Sequence, residues 1–202
     1  MNLKKRILDI SYKHGLTHIG SCITSVNIID KIYKKKKDQE PFILSNGHAG
    51  LALYAVLEQY GFGNAEEIWL KHGTHPNRDM PNGIWCSTGS LGQGLPIALG
   101  MALSDRNRNV YCLISDGECA EGSIWESLRI AKEQRLNNLK IYLNINGWAA
   151  YDKVNISYLV KRIKAFEFPV KVIITKTEQY PFLKGLDAHY YKMTKEDYEK
   201  TR

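Results

Sequence analysis

The chain has 202 residues, 44% apolar and 24% charged, an ordinary globular composition with length enough for a sizeable core. Its 28 basic and 21 acidic residues leave a net charge of +7, which suits anionic ligands; the one dense basic run, Lys34-Lys35-Lys36-Lys37, lacks interleaved aromatics and reads as a solvated helix end rather than a nucleic-acid site. No apolar run is long enough to span a membrane, the basic residues 1–6 precede no leader-like apolar segment, and Cys22, Cys86, Cys112 and Cys119 form no Cys-x-x-Cys pair, which disfavours zinc and fits reduced thiols in the cytoplasm.

Apolar residues at 3, 7, 8 and 10 predict an amphipathic helix over 3–14. A second helix is expected over 26–33. Phe42-Ile43-Leu44 reads as a short strand, followed by a helix over 50–61 that Gly61 ends, and a short helix over 65–72. Residues 73–88 carry Gly73, Pro76, Pro81 and Gly83 and read as loop. An apolar helix is expected over 91–104. Its Gly92, Gly94 and Gly100 suggest close packing, including at a subunit interface. Strands over 110–115 and 139–145 flank a helix over 121–135. A loop, a helix over 156–166, a strand over 170–175, a loop over 180–187 and a charged helix over 195–200 complete the chain. With no repeat, low-complexity tract or internal linker, residues 1–202 read as one α/β domain.

Asp116-Gly117 and Asn146 stand thirty positions apart, each at the end of a predicted strand. A strand-helix-strand unit brings that carboxylate and that amide to the carboxyl edge of a parallel sheet, where ligands sit in open α/β folds. One carboxylate and one amide suit a Mg2+ that takes its other oxygens from a diphosphate and water. Asp-Gly and Asn also favour turns, so on these residues alone a loop reading stays open.

Further segments carry a family resemblance. Ser45-Asn46-Gly47-His48, Ser87-Thr88-Gly89-Ser90-Leu91-Gly92-Gln93-Gly94, Thr17-His18-Ile19-Gly20, His75-Pro76, and Asp116-Gly117 with Glu121-Gly122 and Glu126 are the segments concerned. Together they resemble the amino-terminal, diphosphate-binding half of the thiamine diphosphate-dependent transketolases. The resemblance implies a three-layer fold around a mostly parallel sheet. It implies thiamine diphosphate and Mg2+, with Asp116, Asn146 and the Trp148 carbonyl on the metal. Gly117 then lets the backbone approach the diphosphate, and Gly89, Ser90 and Leu91 present backbone groups to the cofactor beside a helix start. His48 touches the diphosphate. His18 and His75 line the substrate channel and move protons near the reactive carbon. His189 resembles a late histidine that reaches cofactor and substrate. Glu121 resembles an interface acid in a carboxylate relay between active sites, beside the plainer reading of a helix-start acid. His14 and His72 read as structural.

The sequence also departs from the family. Ser115 replaces the first glycine of Gly-Asp-Gly, Ile19 replaces a proline, and residues 148–170 are short, which predicts a trimmed sheet edge. The acid that activates the cofactor belongs to the family's pyrimidine-binding domain, for which these residues leave no room. The resemblance therefore implies one subunit of a split transketolase that moves a two-carbon ketol unit between sugar phosphates. Its partner is a separate pyrimidine-binding chain, in a homodimer or a heterotetramer, with no nucleic acid or membrane involved. The alternatives are half of a deoxyxylulose-phosphate synthase-like or 2-oxo acid dehydrogenase-like enzyme, or a non-catalytic relic of the fold.

Overall fold

The computed structural model describes residues 1–201. Four strands, β1 (Phe42–Leu44), β2 (Val110–Ser115), β3 (Leu139–Ile145) and β4 (Val170–Ile174), form one parallel sheet in chain order. The register sets Leu44 opposite Leu113 and Ser115 opposite Asn144, so the carboxyl ends of the first three strands lie together.

Alternation along these strands sends side chains to two cores, as a pleated backbone requires. Phe42, Leu44, Tyr111, Leu113 and Tyr142 face one, with helices α1 (Leu3–His14), α2 (Ile19–Tyr33), α3 (Gly50–Gln59) and α4 (Ala65–His72). Ile43, Val110, Cys112, Ile114, Ile141 and Leu143 face the other, with α5 (Gly94–Ser104), α6 (Gly122–Glu133) and α7 (Ile156–Ala165). The result is helix, sheet, helix in three layers, the architecture that buries both faces of a parallel sheet.

The helix expected over 26–33 begins seven residues earlier, at Ile19. Its first turns, Ile19-Gly20-Ser21-Cys22-Ile23-Thr24-Ser25, hold poor helix formers but are buried throughout, so packing overrides propensity. The Thr24 hydroxyl donates back to the Ser21 carbonyl at 3.1 Å. The helix expected from residue 91 begins at Gly94, because Gly92 turns the chain at φ +79°. α6 is two residues shorter at its end than expected; Arg135 adopts φ 52° there. The sheet ends at β4, where Ile174 is exposed, consistent with a trimmed edge.

After β4 the chain returns across α2. A 3-10 turn, Gly185–His189, falls partly within the expected loop, and α8 (Lys195–Glu199) closes on α1. The Tyr198 ring stacks on Tyr12 at 4.3 Å and its hydroxyl donates to Asp9 at 2.6 Å. This return brings His189 to the carboxyl edge of the sheet. All four cysteines are free, and no described helix is long and apolar enough to cross a membrane.

Candidate cofactor site

A pocket opens at the carboxyl edge of the sheet. It is lined by His18, His48, His75, Gly89, Leu91, Asp116, Gly117, Asn146, Trp148 and His189, together with Ser21, Asn46, Ser115, Asn144, Ala149, Ala150 and Tyr190. Segments far apart in the chain thus meet at one place. Of the expected residues, Ser90 and Glu121 are exposed and outside the lining. Glu121 is the N-cap residue of α6, with its Cβ against Gly92.

Asp116 follows the last residue of β2 and is 3% exposed. One carboxylate oxygen accepts the Gly147 N–H at 2.7 Å and the other the Gly117 N–H at 3.1 Å. Burial pushes its carboxyl up to about 6, against the downward pull of these N–H groups. Asn146 follows β3, and its side-chain oxygen accepts the Trp148 N–H at 2.9 Å, an Asx turn. That turn brings the Trp148 carbonyl to 3.9 Å from where a Cβ on Gly117 would stand, and Ala149 Cα to 3.4 Å. Asp116, Gly117, Asn146 and Trp148 thus line one pocket, with the Trp148 carbonyl beside Gly117. Among the described residues no group of three or more His, Cys, Asp or Glu side chains could hold a metal. The expected set contains one such side chain, Asp116.

Four histidines face the same space. The His18 ring centroid lies 5.3 Å from His48 and 5.9 Å from His189, and His48 lies 6.1 Å from His189. The His75 ring packs against Gly89, where a Cβ would come within 3.2 Å of it. Burial, reinforced by the neighbouring rings, lowers His18 to about 4 and His48 to about 3, and burial lowers His189 also. At neutral pH His18, His48 and His189 are therefore uncharged imidazoles, able to donate from one nitrogen and accept at the other.

His18 has φ 58°, a left-handed conformation that costs a residue with a Cβ about 1–2 kcal/mol. Its N–H donates to the His189 carbonyl at 2.7 Å and its carbonyl accepts the Cys22 N–H at 3.1 Å, which holds the strained residue at the start of α2. Gly20 makes room for the returning chain: a Cβ there would sit 3.4 Å from both Ala188 and Thr177.

Three buried polar atoms at or beside the pocket have no partner among the described residues: His18 Nδ1, Asn46 Oδ1 and Thr88 Oγ1. Buried polar groups are ordinarily hydrogen-bonded, so such a set points to a polar ligand. Thr88 precedes Gly89, and Gly47 is pressed against the pair, its Cβ position 2.7 Å from the Thr88 carbonyl.

Two buried side chains had no role in the sequence reading. Asn144 donates to Thr24 and Ser25 at 3.1 and 3.3 Å and accepts from Thr175 at 2.7 Å, tying β3 to α2 and to the end of β4. Glu118, 0% exposed, accepts from Ser45, Gly92 and Ser115. The usable signal for Glu118 was its position, two residues after Asp116. For Asn144 it was a polar residue within an apolar strand. His14 and His72 lie outside the pocket, on Glu66 at 2.7 Å and Asp79 at 2.9 Å, in structural pairings.

A parallel sheet with a pocket at its carboxyl edge, polar residues at two strand ends and glycine-rich backbone beside them defines an open α/β fold with its ligand site where such folds place it. Residues 13–179 match the family described as transketolase, thiamine diphosphate binding domain, and the chain belongs to that family. It is 32% identical over 163 residues to one subunit of the apulose-4-phosphate transketolase of Phocaeicola vulgatus, covering 71% of this chain and 58% of that one. It is 35% identical to human transketolase over 179 residues, 75% of this chain and 28% of the human protein. It is 31% identical to a Clostridium 6-deoxy-6-sulfo-D-fructose transketolase subunit, SqwG, over 82% of this chain and 65% of that one. The chain thus spans less than two thirds of the length of these relatives. Among solved structures, a transketolase variant from Pichia stipitis superposes with TM-score 0.81 over 98% of this chain and 39% of its own, at 18% identity, which shows the shared fold.

Proposed function

We propose that this chain is the diphosphate-binding subunit of a split transketolase, moving a two-carbon ketol unit between sugar phosphates with thiamine diphosphate, Mg2+ and a separate pyrimidine-binding chain. The observation that carries this reading is one pocket lined by Asp116, Gly117, Asn146 and Trp148 that four histidines share. Relatives that are themselves named as single subunits of a transketolase support the partner chain, and the four unpaired cysteines agree with a cytoplasmic setting.

Asp116 and Asn146 hold Mg2+ through side-chain oxygens and Trp148 through its carbonyl. Asp116, a carboxylate that burial otherwise disfavours, would have its charge offset by the bound metal. Gly117, Gly89 and the backbone of Ser90 and Leu91 admit the diphosphate, and His48 donates a hydrogen bond to it. When bound, thiamine diphosphate supplies the carbanion chemistry that breaks and forms carbon–carbon bonds next to a carbonyl. His18, His75 and His189 orient sugar hydroxyls; as neutral imidazoles, His18 and His189 can take a proton from a hydroxyl and return it. In this reading Glu121, exposed at the start of α6 and outside the pocket, meets a second chain.

The test is calorimetric titration of thiamine diphosphate in Mg2+ buffer into the chain assembled with its partner. The Asp116→Ala protein is expected to bind at least ~10-fold more weakly, a loss of about 1.4 kcal/mol or more. Unchanged affinity would remove the metal assignment.

A further inference from the structure

Glu118 is a wholly buried carboxylate beside the pocket but not in its lining. A carboxylate only accepts hydrogen bonds, with about four lone-pair positions on two oxygens. Here four donors fill them. Oε1 accepts the Ser45 hydroxyl at 2.5 Å and the Gly92 N–H at 3.0 Å. Oε2 accepts the Ser115 N–H at 2.9 Å and the Ser115 hydroxyl at 3.3 Å. No lysine, arginine or histidine pairs with it among the described residues.

The donors belong to three segments, each of which enters the pocket within a few residues. Ser45 follows β1 and leads to Asn46 and His48. Gly92 lies between Gly89-Ser90-Leu91 and α5. Ser115 ends β2 and leads to Asp116 and Gly117. Ser45 and Gly92 stand 73 and 26 residues from Glu118, so neither contact is local. Backbone contacts reinforce the junction: a Cβ on Gly94 would stand 2.5 Å from Ser45 Cα, and one on Gly47 2.8 Å from Gly89 N. The Ser123 hydroxyl also donates to the Gly92 carbonyl at 2.8 Å, fastening the middle segment to α6. Ser115, a departure from the family glycine, supplies a donor that glycine lacks.

We propose that Glu118 is a positioning residue that clamps the Ser45, Gly92 and Ser115 segments into one rigid cradle before cofactor binds. The consequence for cofactor rests on the function proposed above, whereas the clamp itself does not. A preformed cradle binds more tightly because its loops need no ordering on association.

The experiment pairs amide hydrogen exchange of the metal-free chain with calorimetric titration of thiamine diphosphate and Mg2+ into the chain assembled with its partner. Two Glu118 variants are compared with Ser45→Ala. Glu118→Ala removes all four bonds. Glu118→Gln keeps the volume but turns an NH2 group toward one pair of donors, which separates hydrogen bonding from packing. Both are expected to raise exchange at Gly92 and Ser115 and in residues 45–49 and 89–94 by at least ~10-fold, with α1 and β3 unchanged, and to weaken cofactor binding by ~10-fold or more. Ser45→Ala, which removes one donor, is expected to raise exchange in residues 45–49 and at Gly92 alone, and it carries the test where Glu118→Ala does not fold. Unchanged protection at Gly92 and Ser115, or faster exchange spread evenly over the chain, would overturn the clamp. If the wild-type protein binds no cofactor while exchange responds locally as expected, the transketolase reading falls and the clamp stands.

Discussion

At the scale of single residues, the pocket is governed by what burial does to ionisable groups. His18 and His48 have an ordinary pKa of 6.5 and are lowered to about 4 and about 3. The unfolded chain therefore binds more protons than the folded one between about pH 6.5 and those values, and stability rises with pH across that window. The contribution is fully present above about 6.5 and is lost as pH falls toward 4. We expect the melting temperature to drop between about pH 7.5 and pH 5, and the His48→Asn protein to lose less over the same interval. Thermal melts at the two pH values check it, and equal losses would remove His48 as the source. Asp116 and Glu118 are the opposite case, two buried carboxylates that no described cation pairs with. The place of Asp116 in the pocket was legible because it is announced locally, by a glycine after it and an asparagine thirty positions on. Glu118 was not, since its role exists only once segments distant in sequence meet around it.

At the scale of elements, legibility followed periodicity. The four strands and α1, α3, α4, α6, α7 and α8 were read within a few residues, because apolar spacing, caps and glycine stops act locally. The first turns of α2 were missed, since Gly20, Ser21, Thr24 and Ser25 carry little helical preference and are held by the surrounding core. Gly94 shows the same limit. The close packing expected of it is present, but against Ser45 of the same chain, whereas Gly100 has open space above it. A tertiary tie that no pattern reveals is Asn138. Its side-chain amide donates to the carbonyls of Ala102, Asp105 and Arg108 at 2.9, 3.0 and 2.9 Å, joining the end of α5 to the turn before β2. Asn138→Ala strands these carbonyls and is expected to cost about 2 kcal/mol in urea unfolding. Asn138→Asp, which replaces the donor by an acceptor facing three carbonyls, is expected to cost more. A loss of a few tenths of a kcal/mol in both would show that water replaces the tie.

At the scale of the whole molecule, the cradle is one-sided. It presents Asp116, Asn146, backbone and histidines, and in the proposed function the activating acid comes from the partner chain. Its outer surface offers a place for a second chain. On α5, Ile97 (37% exposed), open Gly100 and Leu103 (36% exposed) recur every three residues on one face. Obligate interfaces are apolar at their centre and bury on the order of 800 Å² or more per partner. An exposed aliphatic stripe has that character. The proposed assembly, a homodimer or two such chains with two partners, places this face at the contact. Replacing Ile97 by Glu should then weaken association at least ~10-fold in sedimentation equilibrium while changing the melting temperature of the isolated chain far less than a fully buried substitution would, because part of the side chain is already in water there. The isolated chain should show no ketol transfer, and transfer should appear when the pyrimidine-binding chain is added. A chain that stays monomeric and ignores that partner would turn the argument toward a relic of the fold, since a cradle that meets no second half has no route to activating a cofactor.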